Sequence, residues 1–327
     1  FQTLIGGLAV MALGACVGGV AQAQDWKPDR QVEFVVPAGP GAALDTAARQ
    51  IKELVDRDKA LPRSMLVTNK PGGAGMVAMV GLQAKPGDGH QLLTLTHSSI
   101  YNKLAGEVAL GFEDFTPIAI LFDEFITVAV RADSPIKTGR DLVDALRKNP
   151  TALSVGVATS LGNHIHAAIA KPLKVAGVDI AKMTVVPFKS SADSMTNLLG
   201  GHLDVVSASA INVVPMMKAG RIRVIAVASA SRLGGDLAGV PTWREQGVDA
   251  VYSSSQGVLG AKGLSPAQIR YWEQALKRLA DSPEWDAFLA RNHWKAHYMG
   301  HDDSLKYLEA ESASARALLA DLGLLKK

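Results

Sequence analysis

From Gln31 onward, short apolar runs alternate with amphipathic stretches of helical length. That alternation is the signature of strand–helix–strand units around mostly parallel sheets. Val32 to Val36 reads as the first strand and Gly41 to Asp58 as the helix after it. Strands are expected at Met65 to Thr68 and Leu92 to Thr96, with a helix-like stretch at Gly75 to Lys85 between them. Ile118 to Phe122 and Ile126 to Arg131 close this section.

A second series begins at Thr138, where Thr138 and Asp141 have capping-box spacing and open a helix running to about Asn149. Strands follow at Leu153 to Val157, Thr184 to Val186, Val205 to Ala208 and Arg223 to Ala228, with helices at Gly162 to Ala176, Ser190 to Leu199 and Val213 to Ala219 between them. The C-terminal third is poor in strands. Val251 to Leu259 is its one long strand-like run, followed by helices at Pro266 to Ala280, Pro283 to Asn292 and Ser304 to Leu322. One strand and three helices make a poor independent domain, so this block is expected to complete the N-terminal unit. The chain then crosses between two lobes near Val130 and again near Ala228, giving residues 24–130 as the first part of lobe one, 131–228 as lobe two and 229–327 as the completion of lobe one. Two crossovers define a hinge, and hinged lobes suit a ligand clamp. The expected class is α/β, two lobes joined by a two-strand hinge with a cleft between them.

The opening residues change the picture of where the protein works. Residues 1–23 carry no charge, Leu4 to Val20 is apolar or Gly throughout, and the run ends in Ala21, Gln22, Ala23. This is the form of a signal-peptide core followed by an A-x-A cleavage site, which predicts export to the periplasm and cleavage near Ala23. With five glycines the stretch is short and weak for a membrane-spanning helix, which needs about 20 strongly apolar residues. Leu13 to Cys16 also has the form of a lipobox, in which Cys16 would be lipidated, but Ala21 to Ala23 directly precedes the polar start at Gln24 and fits ordinary cleavage better. Cys16 is the single cysteine, so cleavage after Ala23 leaves no disulfide, thiol nucleophile or cysteine metal site. A net charge of +3, from 34 basic and 31 acidic residues spread along the chain, gives no footprint for nucleic acid.

The stretch Pro37, Ala38, Gly39, Pro40, Gly41, Ala42, Ala43, Leu44, Asp45 lies directly after the first strand and opens a helix. Gly39 and Gly41 let backbone approach a ligand closely, and the first helical amides are free donors at the positive end of the helix dipole. A backbone anion site is one reading and a plain strand-to-helix turn the other; Asp45 would sit in the first turn and orient a bound water or hydroxyl. Thr159, Ser160, Leu161, Gly162, Asn163, His164 repeat the arrangement after the strand ending at Val157, so that each lobe would offer one helix start to one end of a ligand.

Enzymatic alternatives find little support. Gly73, Gly75 and Ala78 satisfy a dinucleotide-binding spacing, but Pro71 breaks the tight turn and the first strand lies elsewhere. His164 and His166 point away from each other on a helix, and Asn292 and Gly300 suggest that no helix joins His293, His297 and His301. No G-x-S-x-G nucleophile elbow is present.

Several longer stretches are similar to one family. PAGPGAALDTAAR at Pro37 to Arg49, NKPGGAG at Asn69 to Gly75 and GDGHQLL at Gly87 to Leu93 resemble the tripartite tricarboxylate transporter substrate-binding proteins, the Bug or TctC family. VPFKSSADSMTNLLGGHLDVVSAS at Val186 to Ser209, KAGRIRVIAVAS at Lys218 to Ser229, VPTWREQGV at Val240 to Val248 and SPEWDAFLARNHW at Ser282 to Trp294 continue the match in order. The resemblance implies a periplasmic binding protein of the second type that encloses a small organic carboxylate and hands it to membrane permease subunits, without catalysis, cofactor or nucleic acid, and as a monomer. A chemosensor that presents the carboxylate to a sensor kinase is the alternative. By position, the first loop contributes Ala38, Gly39, Pro40, Gly41, Ala42, Ala43 and Asp45, and the second Thr159, Ser160, Gly162, Asn163 and His164. Ser98, Ser207, Ala208, Ser254 and Gln256 complete the expected ligand contacts. Two departures matter: Gly41, Ala42, Ala43 stand where many relatives carry two or three glycines, and Ser254, Ser255, Gln256, Gly257 stand where the tricarboxylate-binding branch often carries N-W-R-G. The second departure implies a smaller, hydroxyl-lined wall and disfavours citrate.

Overall fold

The structure, a computed structural model, describes residues 26–59 and 61–326. The expected signal peptide and Cys16 lie outside the described residues. No helix among the described residues is long and apolar enough to cross a membrane.

The first lobe is assembled from β1 (Glu33–Val36), β2 (Leu66–Asn69), β3 (Gln91–Thr96), β4 (Thr116–Glu124), β10 (Ser254–Gly260) and β11 (Lys295–Met299), in the spatial order β11-β4-β10-β3-β1-β2. The second holds β5 (Ile126–Arg131), β6 (Ser154–Ala158), β7 (Thr184–Phe188), β8 (Val205–Ser209) and β9 (Ile222–Val227), ordered β7-β6-β8-β5-β9. In the first sheet β1 pairs parallel with β2 and β3, and β10 runs antiparallel between β3 and β4. The carboxyl ends of β1 to β4 therefore share one edge. In the second sheet β6 pairs parallel with β7 and β8, while β5 runs antiparallel between β8 and β9. The carboxyl ends of β6 to β9 again share one edge, and β5 starts there. Because β4 and β5 are separated only by Phe125, these two edges face each other across the hinge.

The helices obey their local signals. α1 (Ala43–Arg57) buries Ala47, Ala48, Ile51, Leu54 and Val55, the spacing of one helical face. Thr138 caps α4 (Gly139–Lys148) and Ser265 caps α8 (Pro266–Ala280), each through a full capping box, and Ser282 caps α9 (Pro283–Arg291). α2 (Met76–Gln83), α5 (His164–Val175), α6 (Ser191–Leu199), α7 (Ala210–Lys218) and α10 (His301–Asp321) complete the elements foreseen from the pattern. The larger of two apolar cores holds the fully buried side chains of Trp243, Trp272 and Trp285, and a smaller one lies in the second lobe around Leu198, Val206 and Val213.

Four features depart from the expectation. α3 (Ser98–Leu104) follows β3 almost without a break and is too short to show a helical period. β11, reading KAHYM, is a half-exposed edge strand whose pairing with β4 slips, so its alternation is blurred. The chain changes sheets at Phe125 rather than near Val130, because all of β5 pairs inside the second sheet. After β9 the chain also stays with the second sheet: Thr242 bridges Val227, Leu237 and Val240 join its core, and Trp243 packs on Gly139. The return crossing falls near Tyr252, whose amide bonds to the Ala228 carbonyl.

Candidate functional site

The cleft lies where the two carboxyl edges meet, at the place in an open α/β sheet where ligands are usually held. Helices that open there differ in a telling way. α5 is capped by Asn163, whose Oδ1 accepts from the amides of Ile165 and His166, and α6 by Ser190. α1 and α7 have no side-chain cap. The amides of Ala43 and Leu44 at the start of α1 are donors without partners among the described residues, as are those of Ile211 and Asn212 in α7, where the Ala210 amide donates to the Phe125 carbonyl; free donors of this kind suit a helix start to an anion.

The β1–α1 loop is built to present those donors. Gly41 adopts φ +79°, a conformation that costs glycine little and other residues considerably more. Its amide donates to Asp45 Oδ2 at 2.8 Å, and Asn69 Nδ2 donates both to Asp45 Oδ1 at 2.8 Å and to the Ala38 carbonyl at 3.0 Å. Arg49 Nε reaches Asp45 Oδ2 at 2.9 Å from one helical turn away. Burial alone pushes the Asp45 carboxyl up, but the bonds from Arg49, Gly41 and Asn69 together hold it below the usual carboxylate range. Asp45, 2% exposed, is thus a brace with protein donors on both oxygens.

This corrects the donor set expected across Ala38 to Ala43. Pro40 has no N–H, the Gly41 amide belongs to Asp45, and the Ala42 amide donates to the Gly39 carbonyl. The amides left are those of Ala38, Gly39, Ala43 and Leu44. Asn69 was missed as a site residue, although it stands in the glycine-rich NKPGGAG stretch.

The second loop is arranged differently from the first. Thr159 holds φ +66°, unusual for a residue with a β-branched side chain, and its amide donates to the Phe188 carbonyl. The Thr159 hydroxyl accepts from Asn163 Nδ2 at 2.8 Å. The Gly162 amide donates to His166 Nδ1 at 3.0 Å, and burial pushes the His166 imidazole down to about 4, keeping that nitrogen free to accept. His164 Nδ1 lies 2.5 Å from Ser98 Oγ, a bond that joins α5 of one lobe to α3 of the other. Burial, with a smaller contribution from His97, pushes His164 down to about 3, so the ring that shares this bond with the serine hydroxyl is neutral. Ser98 and His164 are therefore brought together, but by each other. Asn163 and Gly162 serve the helix start rather than offering it, and Ser160 keeps the one hydroxyl of the loop with no bond among the described residues.

Three more expected contacts sit elsewhere. Ser207 and Ala208 lie fully buried inside the second sheet, where the Ser207 hydroxyl donates to the Ile165 carbonyl and the Ala208 carbonyl accepts from Thr127. Both lie near the end of β8, but this central strand is covered on both faces, so the two side chains, which point to opposite faces, are each buried. Ser254 is also fully buried, and accepts from Gln256 Nε2 at 3.1 Å.

Gln256 leads to a residue the sequence reading missed. Its Nε2 also reaches Glu124 Oε2 at 3.4 Å, while its Oε1 is buried with no partner among the described residues. Glu124 ends β4 at the cleft floor, 7% exposed, and accepts from Ser209, the residue that would otherwise cap α7. Burial raises the Glu124 carboxyl above its ordinary range; the Ser209 and Gln256 bonds offset only part of that. An acidic residue between the strand-like runs 118–122 and 126–131 was the available signal.

The chain matches the tripartite tricarboxylate transporter family receptor profile over residues 47–324. It belongs to that receptor family. The Bordetella pertussis protein BugT is 27% identical over 84% of the receptor and 85% of its own length. Among solved structures, an R. palustris protein with adipate is 25% identical with a TM-score of 0.77, covering 90% of the receptor and 98% of its own chain. The Rhodopseudomonas palustris protein MatC, with bound malate, shares the fold at a TM-score of 0.74 and 21% identity, over 89% and 99% of the two chains. The family is one of receptors, and the two solved neighbours hold small dicarboxylates.

Proposed function

We propose that the receptor captures a small organic dicarboxylate between its lobes in the periplasm and, as a monomer, delivers it to the membrane subunits of a tripartite transporter. The observation that carries this reading is the uncapped start of α1, with the free amides of Ala38, Gly39, Ala43 and Leu44 held in place by Asp45 and Asn69. No cationic side chain is needed for such a site, since backbone donors and the helix dipole favour the negative charge. The adipate and malate seen in two neighbours are of the same chemical class. The uncapped start of α7 in the other lobe supports a grip on the far carboxylate.

Titration calorimetry over a panel of C4 to C6 dicarboxylates, citrate and monocarboxylates tests the reading. Dicarboxylates should bind most tightly, and Gly41→Val should abolish measurable binding. Alanine at Lys70 or Lys189 should cost little. If a lysine variant loses all affinity while Gly41→Val binds normally, the carboxylate is held by a cation and the proposal fails. Loss of uptake on deleting the membrane subunits separates delivery from presentation to a sensor kinase.

A further inference from the structure

A cavity of about 600 Å³ opens behind the hinge, away from the cleft. The cleft loops follow β1, β3 and β6, whereas this cavity lies against β11 and β4 at one edge of the first sheet and the segment after β9 at one edge of the second. Its volume falls within the range of small-molecule sites. Phe125, Leu233, Val251 and Trp294 give it apolar walls.

The polar groups on those walls are arranged for an anion. Arg232 and Lys295 both line it, one from each lobe. Asp123 is the sole carboxylate on the wall among the described residues, and it is already engaged by His297 Nδ1 at 3.0 Å and Ser255 Oγ at 2.6 Å. The Asp123 bond keeps His297 protonated to higher pH than an ordinary histidine, against the opposing effects of burial and Lys295. Arg232 also pairs with Glu245, but both groups are about half exposed, and such a pair is weak enough to be shared with a ligand. Lys295 has no ion-pair partner among the described residues. Trp294, 6% exposed and held by stacking on Phe122 at 4.6 Å, has an indole N–H with no partner among them. That N–H is enclosed by protein and does not face the cavity, so Trp294 serves the cavity as an aromatic wall.

We infer that this cavity is a second binding site, for an organic anion with an apolar or aromatic body, held by Lys295 and Arg232 at its charged end. Because its walls come from both sides of the Phe125 crossover, an occupant would touch both lobes.

The test uses the soluble receptor and 8-anilinonaphthalene-1-sulfonate, an aromatic monoanion whose fluorescence rises in apolar surroundings. Saturable binding of one dye per chain is expected. Ala296→Trp, which places an indole at the cavity wall, should weaken it by roughly tenfold or more, and the double change Arg232→Gln with Lys295→Gln by about the same factor. Gly41→Val should leave dye binding intact, and Ala296→Trp should leave dicarboxylate binding intact, which also shows that the variant is folded. Absence of dye binding, binding unchanged in both cavity variants, or loss of the dye in Gly41→Val alone would each overturn the inference. None of these results depends on which solute the cleft takes.

Discussion

Asp45, Gly41 and Asn69 place the burden of the site on backbone geometry. Oδ2 of Asp45 accepts from the loop at Gly41 and Oδ1 from Asn69 at the end of β2, so its removal should loosen the loop without deleting any ligand contact. Asp45→Asn is expected to cost about 1–3 kcal/mol of affinity, the range for losing a buried polar partner, while leaving the choice among dicarboxylates unchanged; calorimetry on two ligands checks both parts. The same carboxyl predicts an acid limb in stability. Its folded pKa lies below the ordinary 3.8, so its contribution is present above that value and is lost as pH falls through the folded one. Urea unfolding between pH 2 and 5 should therefore be less steep in pH for Asp45→Asn than for wild type. At Gly41 an added Cβ would meet nothing within 4 Å, so the penalty of Gly41→Val comes from its φ of +79° and from the side chain standing where the ligand approaches.

Among the elements, the joint of β4, β8, β10 and α7 holds the most unusual electrostatics. Glu124 is a buried acid with hydroxyl and amide donors and no cation among its partners. Its folded pKa is raised above 4.5, so it favours the folded state below that value and this contribution is lost as pH rises through the folded value. Glu124→Gln should accordingly flatten the loss of thermal stability as pH rises above 4.5, and melting curves taken upward from that pH check it. If wild type and variant melt in parallel at every pH, the acid is not held neutral by burial. Ser209→Ala should destabilise by about 1–3 kcal/mol, because it leaves a buried carboxyl short of a donor, while α7, which Ser209 does not cap, loses nothing at its start. His164 gives the opposite expectation at the α3–α5 contact. With its imidazole pushed down to about 3, the bond to Ser98 should show no pH dependence between pH 5 and 8, measurable from the ring protons by NMR.

For the whole molecule, the two sheets are joined at Phe125 and near Tyr252, and α10 reaches across both lobes through contacts with α3, β4 and α5. Leu319 and Leu324 of the C-terminal segment close on Gly162, and Lys174 pairs with Asp321. Closure is therefore expected to pivot on this side and to narrow the opposite mouth between the α1 and α7 starts. Small-angle scattering should give a smaller radius of gyration with saturating dicarboxylate, and an unchanged radius with proven binding would argue against a clamp.

Most of the strands and helices were legible in the chain because each carries its own local reason: periodic apolar faces, capping boxes at Thr138 and Ser265, and β-branched runs. The β1–α1 loop was legible for the same reason, since its glycines and its place after a strand are local facts. α3 and β11 were not, being short elements held by neighbours rather than by a period of their own. Which donors remain free at the site was decided only in three dimensions. Asn69 lies 24 residues from Asp45 and Ser209 lies 85 from Glu124, and no spacing rule connects such pairs. The sequence alone determined that two α/β units would present glycine-rich turns and helix starts at their strand ends. Tertiary packing decided that Asn163 would close one of those starts, that Glu124 would draw Ser209 away from another, and that α1 would stay open, because each outcome depends on which polar groups burial forces together.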